Sequence, residues 1–359
     1  MKICHLITSL GSGGAERNLA ELVNSQTGFD NIVVCLKKDS FYSDYIRKNC
    51  KIYFLDFKYN LSFFLEIIKV IKIIQKEKPK FIMAWMYHCI FLSILISIFQ
   101  KCNIFWNIRH SNFHIKYTKF KTILIILLCS IFSHFIPKKI IYNSYSSKKI
   151  HQNFFYSKKK SIVINNGFKK FKLNKKRSKN FTISFIGRNN PQKNHKVFFK
   201  AINLLPVDLN IRFILIGKDI PKLKNEYIKF LNTKLKKKIK FYNERKNIFN
   251  FYKFFDINIL PSSYGESFSN VVAETMGYGI PNITSDVGDN KKIIKNTGLV
   301  LSNYNSSTEL SKKILVMYNL WSRKKKWEKL KKRCVERIRK HYNFKITLKK
   351  YVELLNDKN

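Results

Sequence analysis

Apolar residues recur along this chain in two rhythms. Short continuous apolar runs predict buried strands over residues 2–8, 31–36, 52–56, 81–85, 104–108 and 139–143. Between them lie stretches with apolar positions every three or four residues, which predict helices over 15–25, 61–77, 89–100 and 119–135, with another starting at Ser144 to Ser147. The helix over 61–77 stops before Pro79, because a proline disfavours helical backbone in the residue before it. Strand–helix alternation of this kind predicts a parallel sheet covered on both faces. Val163 and Ile164 lead into Asn165-Asn166-Gly167, and from there the rhythm fails: residues 168–180 read FKKFKLNKKRSKN, strongly basic and without period.

A second alternating series follows. Strands are predicted over 181–186, 211–216, 239–242 and 257–260, with further short apolar pieces at 282–284 and 298–300. Helices are predicted over 195–204, 226–235, 248–254, 308–320, 322–341 and 346–355. The expected organisation is therefore α/β, with a first domain over 1–167, a linker over 168–180 and a second domain over 181–343. An exposed loop inside one large domain is the other reading of 168–180.

The second series is organised around residues 261–281, PSSYGESFSNVVAETMGYGIP. A strand ends, a turn carries Gly265, and a helix begins near Ser269 or Asn270. Ser267, Ser269 and Asn270 suit a helix start, since their side chains accept from the first free amides. Those amides and the helix dipole favour an anion. Glu266 and Glu274 flank the same place, and a carboxylate beside an anion is repelled by it. Two readings fit: both glutamates are solvated on an amphipathic surface, or they accept from hydroxyl groups on either side of a phosphate.

Composition sharpens this picture. Glycine is scarce, 12 in 359 residues, well below the average of about 7%. Gly11, Gly13, Gly14, Gly187, Gly217, Gly265, Gly277 and Gly279 nevertheless sit at strand ends or around the candidate anion site, where backbone freedom or close approach is needed. Lys and Arg outnumber Asp and Glu by 69 to 22, a formal charge of +47. An anionic partner is implied: nucleic acid, a bilayer surface or a phosphorylated substrate. The chain is also rich in Lys, Asn, Ile and Phe, residues with A/T-rich codons, so codon bias is a second source of the charge. Seven scattered cysteines without a CxxC pair exclude a disulfide framework or zinc site and fit a reducing compartment. The N-terminus lacks a signal-peptide core and reads as a buried strand. No apolar stretch reaches spanning length.

Three further groups are candidates for chemistry. The turn Gly11-Ser12-Gly13-Gly14 lies between the first strand and first helix, where amides face a ligand or simply close a tight turn. It is neither the dinucleotide fingerprint nor a P-loop. Arg188 stands at the C-terminal end of its strand, the binding end of open α/β sheets, and Lys193 follows a proline turn. Together they suit a diphosphate. His110, just past the strand over 104–108, is either a structural loop histidine or a donor to substrate. His5, inside the first strand, reads as a core histidine.

Taken together these motifs resemble the family 4 retaining glycosyltransferases of the GT-B fold. The residues that carry the resemblance are Gly13 to Arg17, Asn107 to Ser111, Tyr142-Asn143-Ser144, Ile164 to Phe168, Ile186-Gly187-Arg188 with Gln192 to His195, Leu260 to Ser263, and Glu266 through Glu274. The resemblance implies two Rossmann-like domains with parallel sheets facing across a cleft, and a last helix, within 344–359, that returns to the first domain. It implies that Arg188 and Lys193 bind a nucleotide diphosphate, Glu274 the ribose, Glu266 the donor sugar, and the backbone around Ser267, Phe268, Ser269 and Asn270 phosphate or sugar. His110 is implied near the reacting centre, and Gly13 and Gly14 beside donor and acceptor. Transfer is implied to proceed with retention, by front-face attack assisted by the leaving phosphate, without cofactor or metal. The chain carries no Asp-x-Asp motif, in keeping with that. Two positions depart from the family pattern: Ser267 and Asn243 stand where glycine is frequent.

The resulting expectation is a glycosyltransferase that takes a nucleotide-sugar donor. The resemblance and the basic charge point to a lipid-linked or saccharide acceptor in bacterial surface-polysaccharide assembly (O-antigen or capsule). The location expected is cytoplasmic, peripheral on the inner membrane, with residues 113–122 (FHIKYTKFKT) resting on an anionic bilayer or forming a solvated basic helix start. Nucleic acid is not expected as a partner, since no such motif is present and two glutamates occupy the anion site. A non-catalytic polyanion binder and a GT-B enzyme using a sugar phosphate are the alternatives.

Overall fold

The computed structural model describes residues 1–25, 28–46, 50–57, 62–111, 118, 120–173 and 179–356. The chain divides into two compact units, Met1–Asn166 with Thr347–Asn359, and Gly167–Ile346. Each is built on one sheet of parallel strands.

Unit 1 contains β1 (Lys2–Ile7), β2 (Asp30–Cys35), β3 (Lys51–Phe54), β4 (Phe81–Trp85), β5 (Asn103–Ile108), β6 (Lys139–Tyr142) and β7 (Ser161–Val163). Their order across the sheet is β3-β2-β1-β4-β5-β6-β7. The strands read as continuous apolar runs because both faces are covered: β1, β2, β4 and β5 are buried almost throughout. One core packs Ile3, Met83, Phe105 and Ile141 beneath the helix Gly14–Ser25, and the other packs Leu6, Ile82, Trp106 and Ile140 beneath the helix Met86–Phe99. That second helix starts directly after β4, three residues earlier than its apolar spacing predicts, with Met86 at φ +67°. β7 was not among the predicted strands, being only three residues long.

The C-terminal helix Phe344–Asn356 reaches unit 1 from Thr347 onward. Tyr351 is buried there, and its hydroxyl accepts from Asn107 Nδ2 at 2.9 Å and Arg109 Nη2 at 2.5 Å. Arg109 also donates to Asn166 Oδ1 and lies 4.8 Å from the Trp85 ring centroid. A strand end, the chain after β7 and the final helix are thus tied by one half-buried arginine.

Unit 2 contains β8 (Phe181–Ile186), β9 (Ile211–Ile216), β10 (Ile239–Tyr242), β11 (Ile257–Leu260), β12 (Asn282–Ser285) and β13 (Leu299–Leu301). Their order is β10-β9-β8-β11-β12-β13. The order reverses between β8 and β11, which makes the loops leaving these two neighbours the natural ligand site of such a sheet. The single helix predicted over 226–235 is instead broken into Leu223–Tyr227, a 3₁₀ turn Ile228–Phe230 and Thr233–Lys236. Asn232 Oδ1 accepts from the Lys234 amide, a local bond that starts a new helix rather than continuing the old one. Within the basic stretch after Gly167, Phe168 bridges to Asn343 and Lys172 donates its amide to Gly277 O at 3.1 Å, both inside unit 2.

All seven cysteines are free thiols. Among the described residues no helix is long and apolar enough to cross a membrane.

Candidate functional site

The loop after β8 begins Gly187-Arg188 and turns at a 3₁₀ helix, Pro191–Lys193. Asn190 starts that turn by accepting from the Gln192 amide at 2.9 Å, and Asn194 ends it in left-handed backbone at φ +57°, a conformation asparagine tolerates. The turn sends Lys193 back over the strand end. A Cβ on residue 187 would stand 3.3 Å from Lys193 Cγ, so glycine there leaves room for the lysine stem.

The neighbouring strand β11 delivers Glu266. Lys193 Nζ and Glu266 Oε1 are 2.6 Å apart. Ser262 Oγ donates to the same oxygen at 2.8 Å, and Ser269 Oγ donates to Oε2 at 2.7 Å. The two loops are joined by their backbones as well, the Ser263 amide donating to Gln192 O at 2.9 Å. Gly265, at φ +72°, lies against the Gln192 side chain. Behind the loop is Gly288, at φ +67°, where a Cβ would fall 2.3 Å from Glu266 O and 2.5 Å from Ser267 O. The Asp289 amide donates to Ser267 O at 2.9 Å. Carbonyl oxygens of the Glu266 loop thus press directly on the backbone that follows β12.

Glu266 is buried, and burial alone pushes its carboxyl up. The Lys193 ammonium, with hydrogen bonds from Lys193, Ser269 and Ser262, outweighs that and holds it below the ordinary value of 4.5. A depressed native value contributes stability that is present above the unfolded value and is lost as the pH falls through the native one. Urea unfolding across the acid range is therefore expected to show a stability advantage of wild type over Glu266→Gln that is widest at neutral pH and shrinks steadily below the ordinary glutamate range. A gap independent of pH would mean that Glu266 is not ionised in the folded protein.

The helix Asn270–Gly277 follows, anchored by Val272, Ala273 and Met276 against Leu260, Cys334 and Ile338. Ser269 is its N-cap residue but makes no side-chain cap bond, because its hydroxyl is turned to Glu266. This corrects the expectation that Ser269 caps the helix. Phe268 points away from the loop into the core, between the rings of Phe168 at 6.1 Å and Tyr342 at 5.3 Å. Ser267 is buried beside it, and Asn270 opens the helix half-buried. Glu274 is buried rather than solvated and accepts from the Tyr252 hydroxyl at 2.9 Å. Arg188 is exposed at the end of β8. Next to Lys193, His195 is buried against Phe185, which with the Lys193 charge lowers its pKa to about 3 and keeps it neutral.

In unit 1, Gly13 ends the turn after β1 and Gly14 begins the first helix; a Cβ on residue 13 would lie 2.1 Å from Glu16 Oε2. His110 follows β5, its ring edge-on to Tyr87 at 6.4 Å and its carbonyl accepting from Ser147 Oγ at 2.6 Å. His5 is a core residue, hydrogen-bonded to Asn31 at 3.1 Å and Trp85 at 3.3 Å, and burial lowers its pKa to about 4. Of residues 113–122, those at 113–117 and 119 lie outside the described residues.

The structure thus brings Lys193, Glu266 and Ser269 together. It adds Ser262, Tyr252, Gln192 and Gly288, which were not among the candidates. The scarcity of glycine was a signal for Gly288. Ser262 and Gln192 lie within the Leu260–Ser263 and Gln192–His195 elements that carry the resemblance, though no role was read for them, and Tyr252 had no local signal.

Residues 167–341 match the sequence profile of the family described as Glycosyl transferases group 1. This unit is a glycosyltransferase domain, and the chain is an enzyme of the glycosyltransferase class. No curated protein sequence matches. Among solved structures, Anabaena Alr3699/HepE in complex with UDP and glucose is similar over 99% of both chains, at 17% identity and a TM-score of 0.82. Sucrose-phosphate synthase from Thermosynechococcus elongatus is similar over 99% of this chain and 98% of its own, at 15% identity and a TM-score of 0.81. The lipopolysaccharide outer core galactosyltransferase WaaB, in its apo form, is similar over 100% of both chains, at 16% identity and a TM-score of 0.71. The fold is GT-B.

Proposed function

We propose that this protein transfers a sugar from a nucleoside diphosphate sugar, with retention of configuration, to a lipid-linked saccharide in surface-polysaccharide assembly, working at the membrane surface as a peripheral protein. The observation that carries this reading is the buried Lys193–Glu266 pair, hydrogen-bonded by Ser262 and Ser269, at the ends of β8 and β11 where the strand order reverses. A carboxylate that holds an ammonium and two hydroxyls in place is a ready acceptor for sugar hydroxyls, while Lys193 and exposed Arg188 bring positive charge to a diphosphate. Charge neutralisation of the leaving phosphate is assigned to these two cations, with no metal or cofactor required. Glu274 is assigned to the ribose, with Tyr252 orienting it. The helix amides at Ser269 and Asn270 are assigned to phosphate or sugar. In unit 1, His110 is assigned to the reacting sugar, and the Gly13-Gly14 turn to donor and acceptor.

Support for the donor class comes from the similar HepE structures, which were solved with UDP, with UDP and glucose, and with UDP-glucose. The first donor to test is therefore UDP-glucose, within a panel of nucleotide-sugars. Thermal unfolding is expected to shift upward with at least one nucleotide-sugar, by several degrees at saturating concentration, since a ligand bound only to the native state stabilises it. A panel in which sugar phosphates stabilise and every nucleotide-sugar is silent would overturn the reading in favour of a different donor.

A further inference from the structure

The helix Phe120–Phe132 carries a second apolar face that no part of the described chain covers. Phe120 is 80% exposed, and Leu124, Leu127 and Ile131 are each about half exposed. Their spacing places them in one stripe along the helix. Beyond the helix end Phe135 continues it, 75% exposed. Cys129 and Ile126, on the other side of the same helix, are buried in the unit 1 core. The helix is therefore apolar on both sides, unlike a surface helix of a water-soluble domain.

Beside the stripe a second element presents an aromatic. Phe155, 69% exposed, is held in left-handed backbone at φ +67°, a conformation bulky residues rarely adopt. His134 Nε2 donates to the Phe155 carbonyl at 2.9 Å and so fixes the turn. Strain of this sort persists where the surroundings over-determine it. Between Leu127, His134 and Phe155 lies a groove of about 720 Å³, and Lys158 and Lys159 line its rim. Lys121 is exposed on the helix itself.

Charge decides what this face meets. From Glu77 to Asp208 the chain contains no intervening Asp or Glu. A second copy of the chain docking face to face would bring two lysine rims together, and the stretch that forms the face carries no carboxylate to pair with them. Nucleic acid would leave the aliphatic stripe without a partner. An anionic bilayer satisfies both parts: acyl chains take the apolar stripe and headgroup phosphates take the lysines. We infer that the stripe Phe120, Leu124, Leu127, Ile131 and Phe135, with Phe155 as an inserted aromatic, is the surface by which unit 1 lies on an anionic lipid bilayer. The inference rests on the membrane-linked function proposed above and places its membrane surface on this helix and the Phe155 turn.

The test is co-sedimentation of the full chain with phosphatidylcholine vesicles, with and without about one-third phosphatidylglycerol. Wild type is expected to bind the anionic vesicles strongly and the neutral ones weakly. Leu124→Glu with Ile131→Glu, and separately Lys158→Glu with Lys159→Glu, are each expected to weaken binding at least about tenfold. Lys324→Glu with Lys325→Glu, which removes more charge than the first pair from an exposed helix of unit 2, is expected to leave it unchanged. Equal losses in all three variants would overturn the proposal in favour of diffuse charge. So would absence of binding by wild type, or a concentration-dependent dimer in ultracentrifugation that the Leu124/Ile131 variant breaks. Nucleotide-sugar stabilisation measured on the same samples separates the two readings: the surface variants keep it if the donor site is intact, whatever happens to vesicle binding.

Discussion

Replacing Lys193 by alanine is expected to lower sugar transfer by about 100- to 1,000-fold, the usual loss when one group aimed at developing charge is removed. It is also expected to destabilise unit 2. Lys193 and Glu266 are both largely buried and 2.6 Å apart. Removing the cation strands a carboxylate, at a cost of about 3–5 kcal/mol. The two effects separate in the double variant Lys193→Ala with Glu266→Gln. A neutral amide no longer requires a cation, so stability in urea is expected to recover substantially over the single variant, while transfer stays low because the diphosphate still lacks its ammonium. The measurement is a double-mutant cycle in both stability and turnover. If Lys193→Ala transfers sugar at the wild-type rate, the site assignment fails. If its activity returns along with stability in the double variant, Lys193 serves only to hold Glu266.

Gly288→Ala is expected to be nearly as damaging, though residue 288 carries no functional group. Its φ of +67° is unfavourable for alanine, and the added methyl would meet Glu266 O at 2.3 Å and Ser267 O at 2.5 Å. The strained backbone alone costs on the order of 1–3 kcal/mol, and relief of the clash requires the Glu266 loop to move. That loop holds Glu266, Ser267 and Ser269, so donor binding is expected to weaken at least about tenfold together with a lower Tm. Gly28→Ala serves as the comparison: nothing lies within 4 Å of its Cβ position. Nucleotide-sugar titrations that give the same Kd for Gly288→Ala and wild type would show that this contact does not position the site.

Much of this architecture was legible because its signals are local. A parallel sheet covered on both faces needs strands apolar on both sides, and β4, FIMAW, shows that as an unbroken run. Helix boundaries were less legible. The helix after β4 starts at Met86 through one left-handed residue, which no composition rule announces. Asn232 starts a helix of its own because its side chain bonds the Lys234 amide, so the stretch over 226–235 splits despite its apolar spacing. At the candidate site the Glu266–Glu274 spacing and the Lys193 turn were visible, but solvated surface glutamates fitted the same letters.

The sequence by itself determined the class of the molecule: α/β alternation in two series, a strong positive charge, and rare glycines reserved for strand ends. These follow from periodicity and composition, which act over a few residues at a time. The tertiary structure alone decided partnership. Strand order sets β8 beside β11, so Lys193 meets Glu266 across a long span of sequence, and Gly288 closes on the same loop from a third strand. It turned Ser269 from a helix cap into a carboxylate donor and gave buried Glu274 a tyrosine partner. Such contacts depend on which elements become neighbours, and that choice is made by the packing of the whole sheet rather than by any one segment of the chain.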